Sequence, residues 1–184
     1  MPTLDFVIDT AKSMYDINVW GMICVTQAFT PFVIAAKGTM INTSSQRSLI
    51  ANGWKGIYTG SKAAVTAISD TLRLELAPFG VKVVTVVTGA VRTNILSIGV
   101  NFVIPANSMF KSIEKEIAAR AWGEDGTPRM ETAVYAEKVV ADSLGGANRQ
   151  IWRGSHASIV RFTSSLLPAS ISVSLPHTIR SRRH

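Results

Sequence analysis

A single cysteine, Cys24, occurs in the 184 residues, so no internal disulfide can form and nothing points to an oxidising compartment. Histidine is confined to His156, His177 and His184. The first 155 residues therefore offer no imidazole as a general base and no Cys/His cluster for zinc. Acidic residues stop at Asp142. Residues 1–148 hold 13 Lys+Arg against 12 Asp+Glu, while residues 149–184 hold six arginines and no acid, which supplies nearly all of the net charge of +7. A body so close to neutral argues against a nucleic-acid groove running across it. The amino terminus, MPTLDFVIDTAK, lacks a basic region followed by an apolar run and is not expected to act as a signal peptide.

What is present reads as one α/β domain with a sizeable core, 47% of its residues being hydrophobic. After a short extended entry, Asp9 or Thr10 is expected to cap a helix with apolar positions at Met14, Ile17, Gly21, Cys24 and Ala28. No charge occurs between Asp16 and Lys37. That run is long enough to raise a transmembrane reading, but Asn18, Thr26, Gln27, Thr30 and Pro31 interrupt it, and a helix buried between a sheet and a partner is the expectation. Thr39–Thr43 reads as a short strand. A polar loop then leads into a helix from about Ile57 to Ala77, whose stripe Val65, Ile68, Leu72 and Leu76 ends at Pro78 and Gly80. The β-branched run Val81–Val87 suits a strand buried on both faces of a parallel sheet. Strand, helix, strand in this order makes a right-handed βαβ unit. Helices are expected over Ser108–Ala121 and Glu131–Leu144, and a last strand at Gln150–Arg153.

The chemistry concentrates between Gly38 and Phe79. Tyr58 and Lys62 stand one helical turn apart, which sets an ammonium beside a phenol. A free phenol, with a pKa of about 10, is a poor base at neutral pH, and a cation one turn away favours its ionised form. Ser45 follows the Thr39–Thr43 strand, where the loops of a parallel sheet meet a ligand, and can donate to a carbonyl oxygen. Serines at strand exits also serve ordinary turns. Asn18 interrupts an apolar helix, either for chemistry or as an amide satisfied by backbone.

Together these residues resemble the short-chain dehydrogenase/reductase family. Its catalytic tetrad comprises an Asn on a helix (Asn18, in NVWG), a Ser after a strand (Ser45, in INTSS) and Tyr-x-x-x-Lys (Tyr58 and Lys62, in YTGSK). The spacings of 27 residues from Asn18 to Ser45 and 13 from Ser45 to Tyr58 fit the family. Thr88–Thr93 (TGAVRT) matches its Pro-Gly-x-Val-x-Thr segment with Thr88 in place of Pro, which places Val91 against the nicotinamide carboxamide and Thr93 near carboxamide and phosphates. The resemblance implies a Rossmann-like parallel sheet over residues 1–155 and an NAD(P)H-dependent carbonyl reductase. In it Ser45 polarises the substrate carbonyl, Tyr58 donates the proton, Lys62 assists the phenol and binds ribose hydroxyls, and Asn18 holds a water. GIYTGSKAA, RLELAPFGVKV and YAEKVV…IWRG look like the fungal acyldihydroxyacetone-phosphate reductases. That likeness implies NADPH, a lipid-ketone substrate and a place at the endoplasmic reticulum or lipid droplet. Hydroxysteroids or long-chain ketones would leave similar traces.

No Thr-Gly-x-x-x-Gly-x-Gly or Gly-x-Gly-x-x-Gly turn, which such folds use to seat a pyrophosphate, occurs in the chain. The sequence resembles the carboxyl-terminal two-thirds of a reductase, so a non-catalytic fragment that associates with another chain through its two long helices remains an alternative. Residues 156–184 read as a basic, partly apolar tail, membrane-associated or loosely docked.

Overall fold

The computed structural model describes residues 1–50, 53–96, 102–124 and 126–166. Helix α1 (Ile8–Tyr15) runs through one π turn (Asp16–Trp20) into α2 (Gly21–Ala35). Strand β1 (Thr39–Ser45), helix α3 (Gly56–Leu76) and strand β2 (Lys82–Thr88) form the expected βαβ unit. Helices α4 (Glu114–Trp122) and α5 (Thr132–Leu144), strand β3 (Gln150–Arg153) and helix α6 (Ala157–Leu166) follow. The sheet is parallel, in the order β1-β2-β3, with β1 at one edge.

β2 is buried continuously from Val83 to Val87, as a central strand covered on both faces must be. One of its faces carries Val83, packed with Met40, Leu76 and Val81, and Val87, packed with Trp152, Ala157 and Val160. α3 ends where the sequence places its stop: Pro78 lies in the following 3₁₀ turn and Gly80 takes a φ of 75°.

The buried face of α3 differs from the expected aliphatic stripe. Besides Val65 and Leu76 it presents Ser61, Thr66 and Ser69. Each hydroxyl has a partner on another element: Asn18 Nδ2 donates to Ser61 Oγ at 3.1 Å, Ser44 and Thr66 share a hydrogen bond of 2.6 Å, and Asn42 Nδ2 donates to Ser69 Oγ at 3.0 Å. Short side chains let α3 lie close on β1, and every buried polar group in this seam is satisfied.

Two expectations about the first helix fail. Its amino-terminal cap is Val7, without a side-chain bond, while Asp9 sits in the first turn and pairs with Lys12. Nor is the helix part of the core: along its 28 residues only Val19 is buried, while Ile17, Trp20, Val25, Phe29 and Phe32 are exposed. The π turn inserts a residue into the helical repeat, so the face set by Met14 does not continue as Ile17, Cys24 and Ala28. α3 and β1 cover just one side.

Residues 157–166, assigned by sequence to the tail, are helical, and Ala157 and Val160 seat α6 on Val87 and Trp152. Residues 167–184 of that tail lie outside the described residues. The helix expected from Ser108 begins as a 3₁₀ turn at Lys111 and becomes α-helical at Glu114. Ser108 instead donates to Asp5 Oδ2 at 2.6 Å.

Candidate active site

Parallel strands carry their ligand sites at their carboxyl ends. There, past β1 and β2, lies a cavity of about 400 Å³. Ser45 and Tyr58 both line it, together with Gly89, Ala90, Val91 and Ile95. Trp54, Met14, Phe6, Arg47, Arg120 and Arg129 also contribute to the wall.

Ser45 is the last residue of β1, extended at φ −145° and buried, and its Oγ accepts from the Arg47 N–H at 3.2 Å. Tyr58 is the third residue of α3. The distance between strand and helix here is set by the polar seam. Ser61 Oγ donates to the Tyr58 carbonyl at 2.8 Å while accepting from Asn18, which ties the π turn to the first turn of α3. Ser44 Oγ donates to the Lys62 carbonyl at 3.0 Å. Asn18 therefore acts here through Ser61 and does not line the cavity among the described residues.

Lys62 also stands back from the cavity. Its Nζ donates to the Thr43 carbonyl at 3.1 Å, so the ammonium is held by the strand and not by the phenol. Burial pushes the Lys62 ammonium down from the ordinary lysine value. The sign of the consequence is fixed. A lysine whose folded-state pKa is lowered is a cost below that value, and stability rises with pH from there to the ordinary lysine value, because the unfolded chain binds more protons. Lys62→Met is expected to change unfolding free energy by less than about 1 kcal/mol at neutral pH. Any advantage of the variant should shrink as the pH is raised toward 10. Urea unfolding of both proteins at two pH values checks this; a large loss in the variant would make the Thr43 bond a structural necessity.

Val91 lies on the cavity wall and pairs with Met130 through an isolated bridge. Thr93 is exposed and outside the lining, its Oγ1 accepting from the Ile95 N–H at 3.4 Å. Thr88, which stands where the family segment has Pro, shares a 2.7 Å hydrogen bond with the Tyr135 hydroxyl. Trp54 reaches the cavity, with the Arg120 guanidinium 4.8 Å from its ring centre.

A family model described as short chain dehydrogenase matches residues 1–98. The chain belongs to the short-chain dehydrogenase family. A short-chain dehydrogenase of Penicillium crustosum is 42% identical over 168 residues, covering 91% of this chain and 61% of that protein. The NADPH-dependent 1-acyldihydroxyacetone phosphate reductase of Schizosaccharomyces pombe is 31% identical over 205 residues, covering 100% of this chain and 68% of the reductase. The fold matches that of a short chain dehydrogenase from Burkholderia cenocepacia in complex with NADP, with a TM-score of 0.70 at 20% identity over 93% of this chain and 61% of the other. This short-chain dehydrogenase chain thus spans about 61% of the length of the first relatives it matches.

The residues present fit one end of a dinucleotide. Gln46, buried on the cavity wall, leaves its Oε1 without a hydrogen-bond partner among the described residues, an acceptor that a ligand's donor can satisfy. Ser45, Tyr58, Ala90 and Val91 give the adjoining wall. No glycine-rich turn for a pyrophosphate occurs in these 184 residues. Sequence reasoning missed the Ser61 relay. Ser61 was open to detection, since it lies three residues after Tyr58, on one helical face with it.

Proposed function

We propose that the full-length protein to which this chain corresponds is an NADPH-dependent carbonyl reductase acting on a lipid ketone such as 1-acyldihydroxyacetone phosphate. The observation that carries the chemistry is the placement of the Ser45 hydroxyl and the Tyr58 phenol on one cavity at the carboxyl end of the sheet. A nicotinamide held there would supply hydride to the substrate carbonyl. Tyr58, Val91 and Gln46 would border that ring. Ser45 donates a hydrogen bond to the carbonyl oxygen, and Tyr58 delivers the proton that completes the alcohol.

The substrate class rests on two supports. The Schizosaccharomyces pombe relative is named for this substrate. The cavity wall also combines apolar Met14, Phe6 and Ile95 with the cations Arg47, Arg120 and Arg129, a lining that suits an acyl chain joined to an anion. The test measures NADPH oxidation by the full-length protein with 1-acyldihydroxyacetone phosphate and with a ketosteroid of similar size. A preference in kcat/KM of at least about tenfold for the anionic lipid is expected, the discrimination that one charge-assisted contact provides. Equal rates, or a preference for the steroid, would remove the lipid-phosphate reading and leave the reductase chemistry standing.

A further inference from the structure

Among the described residues α5 buries none of its side chains, and its Val134, Val140 and Leu144 are exposed. A helix on a parallel sheet ordinarily packs through an apolar stripe. Polar contacts take that part here, from Tyr135 and Asp142, which lie seven residues apart on one face of α5. The Tyr135 hydroxyl and Thr88 Oγ1 share a hydrogen bond of 2.7 Å, and Arg153 Nη2 donates to Asp142 Oδ1 at 2.7 Å. Thr88 and Arg153 are themselves partners across β2 and β3. α5 is thus fastened at the carboxyl end of the sheet, where the cavity lies.

We propose that Tyr135 is a positioning residue for the cofactor: through Thr88 it fixes the segment Gly89–Val91, which forms one wall of the cavity. The inference rests on the reading of this cavity as the seat of a nicotinamide. The wall has two supports. On the β3 side, Gly89 N–H donates to the Arg153 carbonyl at 2.7 Å and Ser155 N–H to the Ala90 carbonyl at 3.0 Å. On the α5 side, Met130 N–H donates to the Ala90 carbonyl at 3.1 Å, and Thr132 Oγ1 donates to the Arg92 carbonyl. Met130 and Thr132 lie at the start of α5, so whatever sets α5 against β2 also sets this side of the wall. Tyr135 makes that connection. The residue it meets sharpens the case. Where the family segment has Pro, a ring fixes φ without outside help. Thr88 has no ring, but its branched Cβ restricts χ1, so pinning its hydroxyl orients the residue as a whole. The restraint that proline would build into the chain is supplied here from α5.

The experiment titrates the full-length protein with NADPH, following the cofactor's own fluorescence, alongside urea unfolding and steady-state kinetics. Tyr135→Phe keeps the ring and removes the hydroxyl; it should raise the NADPH dissociation constant about fivefold, the share of one hydrogen bond. Thr88→Val should do the same, and Thr88→Ser, which keeps the hydroxyl, should stay within about twofold of the parent. The double variant Tyr135→Phe with Thr88→Val should be no worse than either single one, because both break the same contact. At saturating NADPH, kcat should change by less than about twofold, since neither residue lines the cavity among the described residues. If Tyr135→Phe proves unstable, Thr88→Val against Thr88→Ser decides. NADPH affinity unchanged in Tyr135→Phe, with or without a loss in unfolding stability, overturns the proposal and leaves the bond a merely structural one. Losses that multiply in the double variant overturn it too. A parent that binds no NADPH would remove the cofactor reading itself, and this inference with it.

Discussion

Replacing Tyr58 with Phe in the full-length enzyme is expected to lower ketone reduction by about 10²–10⁴-fold, the range a positioned acid–base group contributes. The cavity itself leads to this expectation. Among the described residues that line it there is no carboxylate and no imidazole. Arginine does not release a proton under these conditions, and the other lining side-chain cation, Lys55, has its ammonium directed to the Arg120 carbonyl at 3.4 Å. Tyr58 is the lining phenol, and it faces the same space as Ser45. Phe keeps the ring and removes only the hydroxyl, which has no hydrogen-bond partner among the described residues, so stability should hold within about 0.5 kcal/mol. The measurement is single-turnover NADPH oxidation alongside a urea unfolding curve. A rate within a fewfold of the parent, with unfolding unchanged, would assign the proton to another group and end the reductase mechanism proposed for Tyr58.

A second variant separates chemistry from positioning. Ser61→Ala leaves Tyr58 in place but removes the acceptor for Asn18 and the donor to the Tyr58 carbonyl. Its effect passes through the orientation of α3 and not through the proton. The seam of Ser61, Thr66 and Ser69 shows why the site was only partly legible in the sequence. The Tyr58–Lys62 spacing and the strand exit at Ser45 are local features that helix and strand geometry make readable. Which hydroxyl on α3 meets which amide on β1 or the π turn depends on contacts 43 and 27 residues apart, as for Asn18 with Ser61 and Asn42 with Ser69. Local periodicity carries no information about such pairs. An aliphatic stripe was the natural reading of α3, yet hydroxyls occupy much of its buried face.

The fold divides along the same line. Lys82–Thr88 and Gln150–Arg153 were readable because a central parallel strand must be apolar without interruption and a short final strand stands between glycines. The first helix misled because an apolar residue is informative about a core only when something in the chain covers it. Its periodicity was also broken at Asp16–Trp20 by a π turn that no propensity marks. The start of the tail misled for the opposite reason: Arg161 and several serines obscured an inner face reduced to Ala157 and Val160.

Gly89→Val is expected to cost about 3 kcal/mol or more in unfolding free energy and to disable the site with it. A Cβ on Gly89 would lie 2.3 Å from the Ser155 carbonyl oxygen and 2.9 Å from the Gly154 carbonyl carbon. Both neighbours are backbone, and neither can swing aside as a flexible side chain would. They are also fixed by hydrogen bonds: Gly89 N–H donates to the Arg153 carbonyl at 2.7 Å, and the Ala90 and Ser155 backbones exchange bonds of 3.1 and 3.0 Å. This crossing joins the carboxyl ends of β2 and β3, next to the cavity wall at Ala90 and Val91. Gly154 meets Gly89 from the other side at φ 97°, a left-handed conformation that a side chain would strain as well. Gly126→Ala provides the comparison, since φ there is 69° but nothing lies within 4 Å of the added atom. Backbone strain alone should cost that variant about 1 kcal/mol. Urea unfolding of the two variants separates overlap from strain. A Gly89→Val protein no less stable than Gly126→Ala would mean that the β2–β3 crossing can open, and that the cavity wall it supports is not held by this contact.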